Sequence, residues 1–448
     1  MTKLIEKIII VIFRKTPGES YFSEYLIKNS VQLFLLQSIS LGLGFLLNYV
    51  LIKLAGVNDY GEYVYTFNFI YLLVNLCIMG TDSLLIKNIS VYEASGNYKK
   101  LKGIIFFGMM VAVVSSLFFA FCSEVIVDLT GIINKKGSFN WFMLAISSLL
   151  MLSATAVFHA ILQGSKKIIL SQLAEKIIKP VSILILVLSV FYAQKEISFN
   201  KLVLINLVAI GITLFVTLLL YQRNIGFKLK NLRPAFEFNS WIHSAGGFFL
   251  LGILYILNSR IDIFLLGLLK GSEEVGVYNI VLKISETIAF GLVIVNFVVA
   301  PVIAKLFAQG EILQLQQLIT RAAQMVFLFS FPLILLIFLF GQNVLVFFGV
   351  DFLNSHEALL ILCFGQIINI LCGSVGTLLM MTGHQRFSLY ALGISTVFNI
   401  VVNIILTPGY GVVGTAIATA GSLAIWNLLM YWFVRKKVKI YPAAFKFF

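Results

Sequence analysis

The constraint that governs this chain is the recurrence of long apolar runs. A helix needs ~20 residues to cross a ~30 Å hydrocarbon layer, and about twelve runs meet that length. They fall near residues 27–54, 62–88, 103–123, 140–163, 177–193, 201–221, 243–269, 275–304, 318–340, 356–382, 387–407 and 411–434. Only 12% of the residues are charged and 60% are hydrophobic, against about 25% charged in a soluble domain. A water-soluble fold of this composition cannot cover its surface with polar groups, so its solvent is lipid. Lipid admits only helices or closed barrels, because every backbone polar group must be satisfied within the protein. Barrel strands would alternate in polarity over ~10 residues. These runs are continuous, so the expected fold class is all-α: a polytopic membrane protein of about 12 transmembrane helices.

The basic residues orient the bundle. Most of the 33 Lys and Arg residues gather on one side of it, among them Arg14, Lys15, Lys99, Lys100, Lys102, Lys166, Lys167, Lys228, Lys230, Arg233, Arg435, Lys436 and Lys437. The other side holds Lys53, Lys135, Lys136, Lys195, Lys201 and Lys270. The positive-inside rule then puts both termini in the cytoplasm. The net charge of +14 reads as a solvated cytoplasmic face beside membrane lipids, and nucleic acid is not an expected partner. The stretch LIEKIIIVIF near the N-terminus is too short to span and reads as an interfacial helix. The loops at 124–139 and 222–242 are tethers, and no GxxxxGK[ST] loop accompanies them. A chain of this kind that moves a solute is a secondary carrier, not an enzyme. Pro180 is expected in the first turn of the fifth span, after Lys176 and Lys179.

The chain repeats itself. AGVNDYGEYVY at 55–65 returns as KGSEEVGVYNI at 270–280, aligning Gly56, Gly61 and Tyr63 with Gly271, Gly276 and Tyr278 at an offset of 215. ILQGSKK at 161–167 echoes MTGHQR at 381–386, aligning Gly164 with Gly383 at an offset of 219. Two matches with the same sidedness imply two six-helix lobes of like orientation, residues 1–222 and 223–448.

Five ionisable residues fall inside the expected spans: Asp82, Arg260, Asp262, Lys283 and Glu286. Each costs ~2.5–3.5 kcal/mol or more at the bilayer centre, so each needs a partner or a hydrated cavity. Arg260 and Lys283 are the candidate cations for an anionic substrate group, since a guanidinium grips phosphate bidentately and an ammonium acts as a point charge. Asp262 and Glu286 could balance those cations, carry a coupling H+ or Na+, or pin helix seven to helix eight. Asp82 is a third candidate for coupling or charge balance, and it lies near a helix end, where it can reach the interface. Asn68, Gln366, Asn369, Asn399 and Asn403 are candidate cavity-lining residues, with interhelical hydrogen bonds as their other reading. Cys77, Cys122, Cys363 and Cys372, like His159, His243, His356 and His384, show no metal-ligand spacing, and no cofactor is expected.

Three segments carry a family resemblance. YLIKNSVQLFLLQSISLGLGFLLNYVLIKLAGVNDYGEYVYTFNF, with Tyr60, Gly61 and Tyr63, resembles the start of polysaccharide-synthesis transporters of the multidrug/oligosaccharidyl-lipid/polysaccharide (MOP) exporter superfamily. NSRIDIFLLGLLKGSEEVGVYNIVLKISE, with Asp262 and Gly267, is similar to their seventh and eighth helices. FNIVVNIILTPGYGVVGTAIATAGS, with Asn403, Pro408, Gly411 and Gly414, looks like their eleventh-to-twelfth junction. The resemblance spans nearly the whole chain. It implies a MATE-like pair of lobes around a cavity, with alternating access. For the Wzx-type branch it implies a flippase carrying an undecaprenyl-pyrophosphate-linked oligosaccharide across the bacterial cytoplasmic membrane, for O-antigen, capsule or other surface polysaccharide. Polymerase and chain-length machinery are the partners it implies. That branch's cationic cavity is matched by Arg260 and Lys283 and partly neutralised by Asp262 and Glu286. The alternatives are a multidrug or lipid II exporter of the same superfamily, and an integral-membrane polymerase or ligase. Lipid II flippases have helices beyond twelve, and polymerases carry a large outer loop with arginines; the segment near 124–139 has none.

Overall fold

The computed structural model describes residues 20–130, 141–230 and 232–443. The expected interfacial helix and the loop with Lys135 and Lys136 lie outside the described residues. Helices make up nearly all of what is described. Ten stretches are long and apolar enough to cross a membrane. Two of them bend at a single glycine: α1, Ser20–Ile78, at Gly56, and the final long helix, Gln385–Lys437, at Gly411. Counting both arms of each brings the crossings to about twelve.

The chain forms two compact units. The first is Leu36–Arg260; the second runs from Ile261 onward and includes the described residues before Leu36. In the first unit, α1 is followed by α2 (Thr81–Ala94), α3 (Tyr98–Thr130), α4 (Trp141–Gly164), α5 (Ile168–Gln194) and α6 (Phe199–Tyr221). Leu84, Leu85, Ile89, Ile104, Val157 and Trp241 form its core. The second unit contains α8 (Ser272–Glu286), α9 (Phe290–Ala308), α10 (Ile312–Phe348), α11 (His356–Cys372), α12 (Val375–Met381) and α13 (Gln385–Lys437). Its core gathers Val299, Ile303, Leu315, Leu379, Ala391 and Val434. Two helices change unit: α1 between Leu35 and Leu36, and α7 (Phe238–Lys270) between Arg260 and Ile261. Large apolar side chains such as Phe118, Phe121, Ile185, Phe215 and Leu339 remain exposed, as lipid-facing residues do.

The duplication is written in the turns. Gly56 (φ 82°) and Gly271 (φ 96°) turn the chain at matching positions. So do Gly96 and Gly310, Lys166 and Gly383, and Lys195 and Gly411, all left-handed and all about 215 residues apart. At the first turn the arms fold back closely enough for the Tyr60 hydroxyl to donate to Asn48 Oδ1 at 2.7 Å. The second echo needs a shift of register. Gly383 pairs with Lys166, not with Gly164. Gly164 serves packing instead: a Cβ there would sit 3.0 Å from the Ile89 side chain and 3.1 Å from the Ile86 carbonyl.

Several expected spans are broken. The second divides at Met79–Gly80, both left-handed, before α2 begins. The tenth divides at Gly373, between α11 and α12. The fifth starts at Ile168 rather than near 177, and Pro180 lies deep within it. Proline has no N–H and crowds the preceding turn. The helix absorbs this with a π-turn at Ala174–Ile178.

The segment between α6 and α7 is strapped to the first unit. Lys102 Nζ donates to the Leu232 carbonyl at 2.9 Å, and the Ala235 amide donates to the Lys99 carbonyl at 3.0 Å. The strap lies so close to α3 that a Cβ on Gly103 would be 1.9 Å from the Ala235 oxygen. Glu237 ends it, 2.5 Å from Lys100 Nζ and accepting from the Tyr92 hydroxyl at 2.9 Å. Trp241 Nε1 donates to that same hydroxyl at 3.1 Å. The Lys100 ammonium and then Tyr92 hold the Glu237 carboxyl below the usual carboxylate range. Its stabilisation is therefore complete above the pKa of a free glutamate (~4.3) and is lost as pH falls through the lowered value. Thermal melts over the acid range should show a steeper loss for wild type than for Glu237→Gln. Equal acid slopes would disprove the clamp.

Candidate functional site

Arg260 is an exposed residue on α7. Its Nη1 donates to Asn68 Oδ1 at 2.7 Å, and Asn68 Nδ2 donates in turn to the Val64 carbonyl at 2.7 Å. The backbone thus orients the amide, and the amide orients the guanidinium. Among the described residues the partner that holds the arginine is a neutral amide.

Asp262, two residues on, belongs to the second unit and is closed off, with 2% exposure. Its Oδ1 accepts the Ile263 amide at 2.9 Å. Its Oδ2 accepts the Tyr278 hydroxyl at 2.8 Å and the Thr419 hydroxyl at 3.1 Å. The carboxylate ties α7 to α8 and α13. Lys283 is half-buried on α8, one turn from the exposed Glu286. Asp82 stands in the first turn of α2, where a carboxylate complements the helix dipole.

Of the five expected cavity-lining amides, Asn399 and Asn403 are wholly buried. Asn403 Nδ2 donates to Asn399 Oδ1 at 3.0 Å, and Asn399 Nδ2 donates to Ser422 Oγ at 3.1 Å. Thr407 Oγ1 donates to Asn403 Oδ1 at 3.0 Å and lies 3.0 Å from Thr415 Oγ1. This ladder stitches the two arms of α13 together across Gly411. Any of these groups left unpaired in a membrane would be costly, so the arms satisfy each other. Asn369 Nδ2 donates to Gln366 Oε1 at 3.2 Å, with Gln366 buried.

A second charged cluster in the first unit escaped the sequence reading. A cavity of about 160 Å³ is lined by Tyr71, Asn75, Thr155, His159, Glu175 and Lys179, among others. Lys179 Nζ donates to the Tyr71 hydroxyl and lies 4.9 Å from its ring centroid. His159 Nδ1 is 3.4 Å from Glu175 Oε2. The start expected near 177 hid this cluster by leaving Glu175 outside the fifth span. The signal was present: Glu175 and Lys179 are four apart on one helical face.

The described residues form two units of membrane helices that share an internal repeat. A family model for polysaccharide biosynthesis proteins matches residues 26–307. The chain belongs to that family. The MatE model also matches, over residues 249–405. The chain is 25% identical over 204 residues to the "Probable low-salt glycan biosynthesis flippase Agl15" of Haloferax volcanii, covering 45% of this chain and 41% of that protein. The match thus spans under half of that relative's length. Among solved structures, an inward-facing multidrug resistance MATE family transporter of the MOP superfamily superposes with a TM-score of 0.70 at 14% identity, covering 89% of this chain and 94% of that one. The lipid II flippase MurJ, in its inward closed conformation, gives 0.69 at 17% identity, covering 90% and 87%. The fold of this family member is therefore that of the MOP transporters, as the resemblance in its motifs implies.

Proposed function

We propose that this protein is a flippase that moves a lipid-linked oligosaccharide across the membrane. The substrate is an undecaprenyl-pyrophosphate-linked repeat unit and the setting is the bacterial cytoplasmic membrane, with both termini inside. The observation that carries this reading is Arg260, a membrane-helix guanidinium exposed and held by the neutral Asn68 amide. A diphosphate bridging lipid and glycan cannot cross hydrocarbon unaided. It needs a cation at depth, and a guanidinium meets its oxygens bidentately. Lys283 is the second cation of the proposed path, and a polysaccharide polymerase the consumer of the product. The family match and the glycan flippase among its relatives support the same reading. The MatE match favours drug export as the second reading, but cationic drugs would meet a like charge at Arg260.

Proteoliposomes loaded with a fluorescent undecaprenyl-pyrophosphate oligosaccharide test it. Transfer between leaflets, read by quenching with a membrane-impermeant reductant, should exceed that of protein-free vesicles. Protein-independent transfer, alongside efflux of a cationic dye, would replace the flippase reading with drug export.

A further inference from the structure

We propose that the end of α13 is a binding surface for anionic phospholipid, where Arg435, Lys436 and Lys437 meet the headgroup phosphate. The proposal needs only a membrane-spanning α13 and does not depend on what the protein carries. The depth of these cations follows from the helix. The second arm of α13 begins at Gly411, beside the exposed ring of Tyr410, which suits one interface. From Gly411 to Arg435 the arm rises about 36 Å at ~1.5 Å per residue. Hydrocarbon takes ~30 Å of that, so the three cations emerge among headgroups.

The chain then folds back and completes the surface. Gln316, near the start of α10, grips the Tyr441 backbone at two points. Its Oε1 accepts the Tyr441 amide at 2.7 Å, and its Nε2 donates to the Tyr441 carbonyl at 2.8 Å. A side-chain amide paired in this way fixes both the position and the direction of the tail. Ile440 is buried, and the Tyr441 ring is left exposed beneath Arg435, its centroid 4.6 Å from the guanidinium carbon. Lys436 Nζ lies 4.7 Å from the Trp432 ring, and Lys437 Nζ lies 5.1 Å from the Phe387 ring. Phe433 joins those two rings, 4.9 Å from Trp432 and 4.8 Å from Phe387.

Among the described residues, the partners of these three cations are ring faces and the Tyr441 hydroxyl, not carboxylates. A ring face holds a cation through its quadrupole and takes away none of its charge. The first unit uses its cations differently. There Lys100 is matched by Glu237, and Lys102 is spent on the Leu232 carbonyl. The rings also say what the partner is. Trp432 is 51% exposed on an apolar helix, and an amphipathic ring of that kind belongs where hydrocarbon meets headgroups. The molecule that borders the helix at that depth is a lipid, and the group complementary to three cations is its phosphate. Arg435 can meet two phosphate oxygens at once, while the lysines act as point charges.

Trp432 can report its own lipid neighbours. The full chain is placed in phosphatidylcholine nanodiscs with about 10 mol% of a chain-brominated lipid, either phosphatidylglycerol or phosphatidylcholine. Bromine quenches tryptophan on contact. The share of quenching lost in Trp432→Phe belongs to Trp432, since Trp141 and Trp241 are buried. Brominated phosphatidylglycerol should be enriched there about fivefold over brominated phosphatidylcholine, the gain expected from one engaged cation. Lys436→Gln and Lys437→Gln should each lower the preference at least about twofold, and adding Arg435→Gln to both should remove it. Lys436→Arg should keep it. Tyr441→Leu should lower it without any change of charge, by freeing the guanidinium. Arg233→Gln removes one positive charge from the first unit and should leave the preference unchanged. All variants are compared as monodisperse protein. Equal quenching by the two lipids in wild type overturns the proposal, and so does a preference that survives the triple substitution. A fall in Arg233→Gln as large as in Lys436→Gln also overturns it, because net charge would then replace a site. No glycan is present, so failure here and failure of flipping are read separately.

Discussion

Arg260→Glu should abolish glycan transfer while the protein still folds and inserts. Arg260 bonds only to Asn68 among the described residues and sits exposed, so the fold gives up one hydrogen bond to a neutral acceptor. The proposed substrate loses far more, since a diphosphate would meet a carboxylate where it had a guanidinium. A hydrogen bond to a charged group is worth about 1.5–3 kcal/mol, and reversal adds repulsion to its loss. About 100-fold slower transfer is the least expected, at ~1.4 kcal/mol per factor of ten. Arg260→Lys should keep part of the activity, because charge survives and bidentate geometry does not. Asn68→Ala should lie between wild type and lysine, since it frees the guanidinium without removing it. Transfer in proteoliposomes, normalised to inserted protein, reads all three. Wild-type transfer by the glutamate variant would remove Arg260 from the path.

Asp262→Leu should fail in a different way, through stability. Leucine keeps the volume but leaves the Tyr278 and Thr419 hydroxyls and the Ile263 amide without their common acceptor, in a site with almost no access to solvent. Buried donors stripped of a charged acceptor cost about 3 kcal/mol together. For a unit of about 200 residues that lowers Tm by about 6–12 °C. Asp262→Asn retains one oxygen and should lose less. Tyr278→Phe removes one of three donors and should lose least. Melting in detergent, followed by loss of monodisperse protein, ranks the series. If the leucine variant melts with wild type, the network contributes nothing to holding α7, α8 and α13.

Much of the architecture was legible before any coordinates, because lipid makes length and polarity nearly sufficient. The Gly56 and Gly271 turns could be paired from sequence since a positive φ in a tight turn favours glycine. The pairing of Gly164 with Gly383 went wrong for the same reason. There Lys166 adopts the left-handed turn, and glycine is needed for close packing. Pro180 misled in its own way: proline starts helices more often than it sits inside them, and nothing in the residue names announces a π-turn. That left Glu175 outside the expected span and hid its meeting with His159. The i, i+4 spacing of Asn399 and Asn403 was plain, but spacing cannot tell a hydrated wall from a neighbouring helix. Ser422 and Thr407 decide that, and they come from positions on both sides of a kink.

The strap at residues 232–237 also sets an order for biogenesis. Trp241, with 1% exposure, is a core residue of the first unit although it lies on the seventh helix. A nascent chain that has inserted six helices still has a gap in that core, open to whatever binds apolar surface in the membrane. The gap closes only when the start of α7 leaves the translocon and the Lys100, Lys102 and Tyr92 hooks engage. The first half of the protein therefore finishes folding during synthesis of the second, and a ribosome stalled after α6 would release an unfinished half.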